Sequence, residues 1–240
     1  MQGVQPLFPQ FVEAGSSSLL AFYLLLFLMF AALAYAARRI DKSEVTTAPR
    51  RFGKVSSGVV VFVFIFSVIV AAGLPGVYYF PTVPLLFGAI ISLCIWFSFS
   101  RYGAALGQAF SLQTLVAFQG FRIPLEFILR DWGETGTVPL VMSWAGQNYD
   151  VISGIAALVF APLIPKKKSL AWIPTVIGAL LLVNVLRIVL MSSPFPFSWQ
   201  LERPLQLILH LPYALIVPLC VVPALIGHLV VIRVMLRGAK

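Results

Sequence analysis

The chain has 240 residues, 60% of them hydrophobic and only 10% charged, with a formal net charge of +9. Soluble domains hold about 45–50% apolar and about 25% charged residues, so the surplus hydrophobicity here must face something other than water. An ordinary soluble domain is excluded, and an all-α polytopic transmembrane bundle whose first partner is the lipid bilayer is predicted.

Along the chain, the first 18 residues carry Glu13 as their only charge and no Lys or Arg, unlike a secretory signal. The apolar run 19–37 follows and is closed by Arg38 and Arg39, which reads as a retained anchor. Further apolar segments lie at 58–74, 84–99, 106–129, 146–164, 170–190 and 211–232, making seven predicted spans. Each reaches across a hydrocarbon core of about 30 Å at about 1.5 Å per residue, the shorter ones with help from their flanks. Turn formers divide them: Pro75-Gly76, Pro81, Pro84, Pro139, Pro165 and the Ser-Ser-Pro-Phe-Pro run at 192–196. No repeat, linker or low-complexity tract interrupts them, so a single integral membrane domain over 1–240 is expected.

Segment 106–129 carries Gln108, Gln113, Gln119, Arg122 and Glu126, and an amphipathic helix on the membrane surface is the competing reading. Basic residues decide between the two. If the segment crosses and the N-terminus is outside, thirteen of the 17 basic residues are cytoplasmic: those at 38–54, Arg101, those at 166–168 and those at 233–240. Arg130 and Arg203 are then outside, with Arg122 and Arg187 in the membrane. If it does not cross, nine fall inside and six outside. Cytoplasmic loops concentrate Lys and Arg, so seven spans with the C-terminus in the cytoplasm are favoured. The net positive charge is expected to report this topology and not nucleic-acid binding.

Polar groups inside spans are the informative ones, since each is costly in lipid unless paired or hydrated. On the fourth predicted span, Gln108, Ser111, Gln119, Arg122, Glu126 and Arg130 recur on one helical face, which must look into the bundle or a water-filled cleft. Arg122 and Glu126 stand at i, i+4 and are expected to pair, either as a lock between helices or as a ligand or proton site. Arg before Glu is the weaker order, so helix geometry alone does not account for them. Pro124 between them removes a donor and is expected to kink the helix. Asn148 and Asp150 cap or begin the fifth span, Asn184 and Arg187 close the sixth, and Glu202, Arg203 and His210 precede the seventh. A polar cleft open to the extracytoplasmic side is therefore expected, with Arg122, Glu126, Gln119, Asn148, Asp150, Asn184, Arg187 and His210 as its ligand or ion-pair candidates. Arg187 is expected to pair with Asp150 across antiparallel neighbours, against the alternative that it snorkels to the headgroups.

Other chemistries fail on spacing. A retinal protein needs a lysine within its last helix, and the last predicted span has none before Lys240. His210 and His228 are 18 positions apart, about 27 Å along a helix, and cannot share a metal or haem. Cys94 and Cys220 lie in apolar runs without Cys or His at ligand spacing, so neither a disulfide, a metal nor a cofactor is expected.

Phe118-Gln119-Gly120-Phe121-Arg122 with Glu126, Val138-Pro139-Leu140-Val141-Met142, and the run from Gly146 through Gln147, Asn148, Tyr149 and Asp150 to Val151 resemble the markers of a family of uncharacterised multi-pass bacterial membrane proteins. Leu211-Pro212, Val217-Pro218 and the stretch from Val222-Pro223 to His228-Leu229 are similar too, so the likeness covers roughly residues 118–232. It implies a helical fold in a bacterial inner membrane and brings no activity; the family has a basic residue where this chain has Gln147. Asn184-Val185-Leu186-Arg187-Ile188 with His210 resembles part of the exosortase pattern, multi-pass transpeptidases using cysteine, arginine and histidine. Ile152 stands where that family places its nucleophile, so the resemblance implies an enzyme without one. Three functions stay open: binding or transport of a small polar or anionic ligand, a structural or accessory membrane subunit, and a degenerate exosortase-like enzyme.

Overall fold

The computed structural model describes residues 9–42, 54–77 and 79–238, so Arg50, Arg51 and Lys240, which enter the charge count above, lie outside the described residues. The described residues form helices and connecting turns with no strand, as a backbone that must close its own hydrogen bonds in lipid requires. Helix α1 (Ser16–Asp41) leads to α2 (Val55–Ala71), the single-turn α3 (Leu74–Val77) and α4 (Tyr79–Phe99). Then come α5 (Arg101–Ala109), α6 (Leu112–Ala117), a 3-10 turn (Phe118–Phe121) and α7 (Arg122–Thr135). Helices α8 (Val151–Phe160), α9 (Trp172–Ser192) and α10 (Val222–Arg237) complete the chain, the last entered through a π turn (Val217–Val221).

Among the described residues, four helical stretches are long and apolar enough to cross a membrane: Ser16–Asp41, Tyr79–Phe99, Lys168–Ser192 and Tyr213–Arg237. In the last, 61% of the most apolar stretch is buried inside the protein, against 22–28% in the other three. Helix α10 is thus the central post, and the others turn apolar faces outward. Leu20, Leu24 and Phe27 of α1, Val60 and Phe64 of α2, and Leu180 and Val183 of α9 are all more than half exposed. Surfaces this apolar are matched to hydrocarbon and not to water.

Two polar ties hold the ends. Asp41, at the end of α1, accepts from the backbone amides of Val55 (2.8 Å) and Ser56 (3.1 Å) and from the Ser56 hydroxyl (2.7 Å). It therefore caps α2 from the preceding helix, where Lys54 at the cap position makes no capping bond. Arg233 of α10 donates to the carbonyls of Ser98, in the last turn of α4, and Ser100, at the cap position of α5, both at 2.6 Å, and so ties α10 to the α4–α5 junction.

The predicted continuous helix over 106–129 is not formed. Phe110 is extended (φ −130°, ψ 146°), and the Ser111 hydroxyl accepts from the Thr114 amide at 3.1 Å, so a new helix starts there. Serine competes for backbone donors and favours a cap over a helix interior. Gln108 and Ser111 are exposed, and the expected stripe survives only from Gln119 to Glu126 as a buried face. Nor does Pro124 kink a helix: it lies in the first turn of α7, where its missing amide has no intrahelical partner to lose. The predicted span 146–164 is likewise shorter. Helix α8 has only 10 residues, about 15 Å of rise, and the chain before it is irregular.

Candidate functional site

Three helix discontinuities meet around one arginine. Arg122 is the first residue of α7 after the 3-10 turn, Asp150 stands at the cap position of α8 without a capping bond, and His228 lies in the second turn of α10 beyond its π turn. Irregular backbone at such places is tolerated inside a membrane protein only where it is packed in protein or lines a cavity.

Arg122 is 1% exposed. Its Nη1 is ion-paired to Asp150 Oδ1 and donates to Ser153 Oγ at 3.0 Å and to the Gly178 carbonyl at 3.4 Å. Its Nη2 lies 3.3 Å from His228 Nε2. A guanidinium has no acceptor, so Nε2 must receive and the ring proton belongs on Nδ1. The Ser153 hydroxyl faces two acceptors of Asp150, the carbonyl at 2.7 Å and Oδ1 at 2.8 Å, and its one proton serves one at a time.

Glu126, also 1% exposed, accepts through Oε1 from Asn148 Nδ2 at 2.8 Å. Asn148 Nδ2 also donates to the Met142 carbonyl (2.9 Å), and its Oδ1 accepts from the Asp150 amide at 3.1 Å. This Asx-type turn sets Asp150 toward Arg122. Two glycines allow the helices to close on the site. A Cβ on Gly178 would lie 2.5 Å from His228 Cε1, and one on Gly154 would lie 2.7 Å from Ile123 Cγ1.

Several buried polar atoms of the site have no partner: Arg122 Nε, Glu126 Oε2 and, one turn before Arg122, Gln119 Oε1. Gln119 Nε2 does donate, to the Ala224 carbonyl at 3.2 Å. An unmet buried donor or acceptor costs about 1–3 kcal/mol, so such atoms mark where water or a ligand belongs. Arg122, Glu126 and Asp150 line one part of a cavity of about 80 Å³. Its remaining wall is almost wholly apolar, supplied by α4, α9, the segment 205–208 and the π turn before α10.

The expected Arg122–Glu126 pair is replaced by Arg122–Asp150, while Glu126 turns to Asn148. The intrahelical order is the weaker one, and Asp150 brings a carboxylate from a second helix that the arginine can reach along its guanidinium edge. The expected Arg187–Asp150 pair is overturned with it. Arg187 Nη2 donates to Gln147 Oε1 (2.9 Å) and to Asn184 Oδ1 (3.0 Å), and its guanidinium carbon lies 5.6 Å from the Trp199 ring centre. Asn184 Nδ2 donates to the Gln147 carbonyl at 2.9 Å. Because α8 begins only at Val151, Asp150 closes the buried cluster, and Gln147 is left to meet Arg187.

His210 joins neither group. Its ring stacks on Phe11 at 4.0 Å between centres, Phe11 also packs edge-on against Tyr213, and the Tyr213 hydroxyl accepts from the Ala14 amide at 2.9 Å. Burial pushes the imidazole below its ordinary range, with Glu13 opposing that shift. Arg122, Glu126, Asn148 and Asp150 are therefore together, Gln119 lies beside them, the half-buried Asn184 and the exposed Arg187 form a second group, and His210 stands in a third. Ser153 and His228 were not among the sequence candidates. His228 is an ionisable residue within a predicted span, which by itself flags a site; Ser153 stands at i+3 from Asp150, on the same helical face. Ile152 is 49% exposed, whereas Ser153 beside it is 1% exposed.

Comparison of the chain with family models, with curated proteins and with solved structures finds no match.

Proposed function

We propose that this is a multi-pass protein of the bacterial inner membrane that binds a small polar ligand in the cleft at Arg122, Glu126 and Asp150. The carrying observation is that Arg122 and Glu126, one turn apart on α7, both line one cavity and each keeps a buried atom without a hydrogen-bond partner, Arg122 Nε and Glu126 Oε2. A ligand group that accepts from the first and donates to the second repairs both. Because Asp150 already balances Arg122, the site favours an uncharged polar ligand over an anion. A purely structural role is supported by the engaged Nη atoms of Arg122, but it leaves the two orphan atoms without a purpose.

For topology, we propose seven crossings, by α1, α2, α4, α6 with α7, α8 together with its flanks over 146–164, α9 and α10, with the N-terminus outside, the C-terminus cytoplasmic, and α5 lying between crossings. The distribution of Lys and Arg supports this reading. Reporter fusions after Lys240 test it: a cytoplasm-active reporter should work there and a periplasm-active one should not, and the reverse result overturns the topology.

The ligand reading is tested on the full chain in lipid nanodiscs by thermal unfolding with acetamide or glycerol as probe. The wild type should gain stability with probe concentration, as any ligand selective for the folded state requires. Glu126→Leu, which leaves the Arg122–Asp150 pair in place, should abolish the gain. An equal gain in both proteins refutes the site.

A further inference from the structure

Independently of that polar site, we infer that a groove between α1 and α7 binds one phospholipid with a primary ammonium head, the ammonium at Asp131, Ser17 and Ser18 and an acyl chain along the two helices. Ser17, Ala21, Leu24 and Leu28 follow one another at steps of three or four on α1, and so do Pro124, Phe127 and Asp131 on α7, so one face of each helix lines the groove. Phe22 packs edge-on against Trp132 at 4.8 Å between ring centres, which sets the start of α1 beside the end of α7 and brings the polar ends of both faces together. The small side chains of Ser17, Ser18 and Ala21 leave a space of about 560 Å³. At about 30 Å³ for each water-sized group, it has room for on the order of eighteen methylenes, one lipid acyl chain. From Ser17 to Leu28, α1 rises about 16 Å, half of a hydrocarbon core of about 30 Å and so the depth of one leaflet. Leu24, Leu28 and Phe127 are each more than half exposed, so the groove opens to the bilayer. In the topology proposed above, its polar end lies at the outer surface.

The polar end selects the head group. Asp131 is exposed, and among the described residues no hydrogen bond or ion pair engages its carboxylate; only its backbone carbonyl is used, by Thr135. Arg130 beside it is already bonded to Glu134 at 2.8 Å and lies 5.3 Å from the Trp144 ring centre. Among the described residues no Lys or Arg lines the groove, so nothing there attracts an anionic head. The Ser18 hydroxyl gives its proton to the Gly15 carbonyl at 3.1 Å, which leaves its oxygen as an acceptor. A primary ammonium brings three donors and a positive charge to this set of acceptors. A choline head brings the charge without a donor, and a glycerol head brings donors without the charge. Lipid tails are as apolar as leucine side chains, so the groove accepts any tail and the head decides.

The experiment is native mass spectrometry of the full chain, released from detergent with an equimolar mixture of palmitoyl-oleoyl phosphatidylethanolamine, phosphatidylcholine and phosphatidylglycerol, whose masses separate the adducts. Wild type should retain one phosphatidylethanolamine at least about threefold over either other lipid, the scale of an exposed ion pair. Asp131→Asn should bring the three lipids level without moving thermal unfolding, since that carboxylate holds no other described residue in place. Ala21→Trp should fill the groove and remove the preferred adduct. Equal retention of the three lipids by the wild type overturns the proposal, and so does a choline lipid retained as well as the ethanolamine one. A preference that survives Asp131→Asn, or an adduct that survives Ala21→Trp, has the same consequence. A dimer that Ala21→Trp splits would give the groove to a second copy of the chain and overturn the lipid.

Discussion

Arg122 and Arg187 both reach the short segment 147–150, and they are held in opposite ways. Arg122 is 1% exposed and takes a carboxylate, a hydroxyl and an imidazole. Arg187 is exposed and takes two amide oxygens and the face of an indole, with no carboxylate. The segment serves both because alternate residues face opposite ways: Gln147 meets Arg187, while Asn148 and Asp150 meet Glu126 and Arg122. For a guanidinium buried as deeply as that of Arg122 an uncompensated charge is costly, and Asp150 supplies the opposite charge. At an exposed helix end, solvent carries most of the charge, and neutral dipoles with a cation–π contact suffice.

The largest effect should come from breaking the buried pair. Asp150→Ala leaves Arg122 uncompensated and should cost about 3–5 kcal/mol in a detergent or denaturant titration. Replacing both residues by leucine should recover most of that loss, since paired apolar substitutes avoid desolvating charge. A single-site loss under about 1 kcal/mol would mean that Asp150 is not the charge partner.

Gly178→Ala tests whether close approach of α9 sets the cluster. The new methyl group would lie 2.5 Å from His228 Cε1, and overpacking of this kind costs about 1–3 kcal/mol. The double variant Gly178→Ala, His228→Ala should be less destabilised than the sum of its parts. Simple additivity of the two losses would separate His228 from Gly178.

Arg187→Gln supplies the contrast. Its exposed contacts are worth about 1 kcal/mol or less in total, so unfolding should shift only slightly. A loss matching that of Asp150→Ala would erase the difference between the two arginines.

The smallest effect concerns His210, which belongs to neither arginine site. Burial holds its folded-state pKa below the ordinary value of 6.5, so the unfolded chain takes up the proton first. Its contribution is therefore intact above pH about 6.5 and declines as pH falls below that value. Thermal unfolding from pH 8 to pH 5 should show a shallow loss that His210→Asn flattens, with Phe11 still in place. An identical slope in the variant would assign the loss to other groups.

Much of the helical architecture is legible in the sequence. Runs such as 19–37 and 170–190 are apolar beyond what a soluble core uses, and lipid leaves their backbones no hydrogen-bond partners but their own. That makes helix formation a local property, readable from composition. Gln119, Arg122, Glu126, Asn148 and Asp150 could be marked as site candidates for the same reason, because polar groups at those depths need partners. Which partners they take is not local. The break at Phe110–Ser111 lies inside the stretch 106–129 that hydrophobicity reads as one helix, whereas the start of α8 at Val151, with Asp150 at its cap position, follows the polar run 147–150. Whether Arg122 meets Glu126 or Asp150 turns on the Asn148 side chain holding the Asp150 amide at 3.1 Å and on glycines that admit α8 and α9 to contact. Those are distances between helices, and only packing sets them, since one-dimensional hydrophobicity records how deep a residue lies but not which residue it faces.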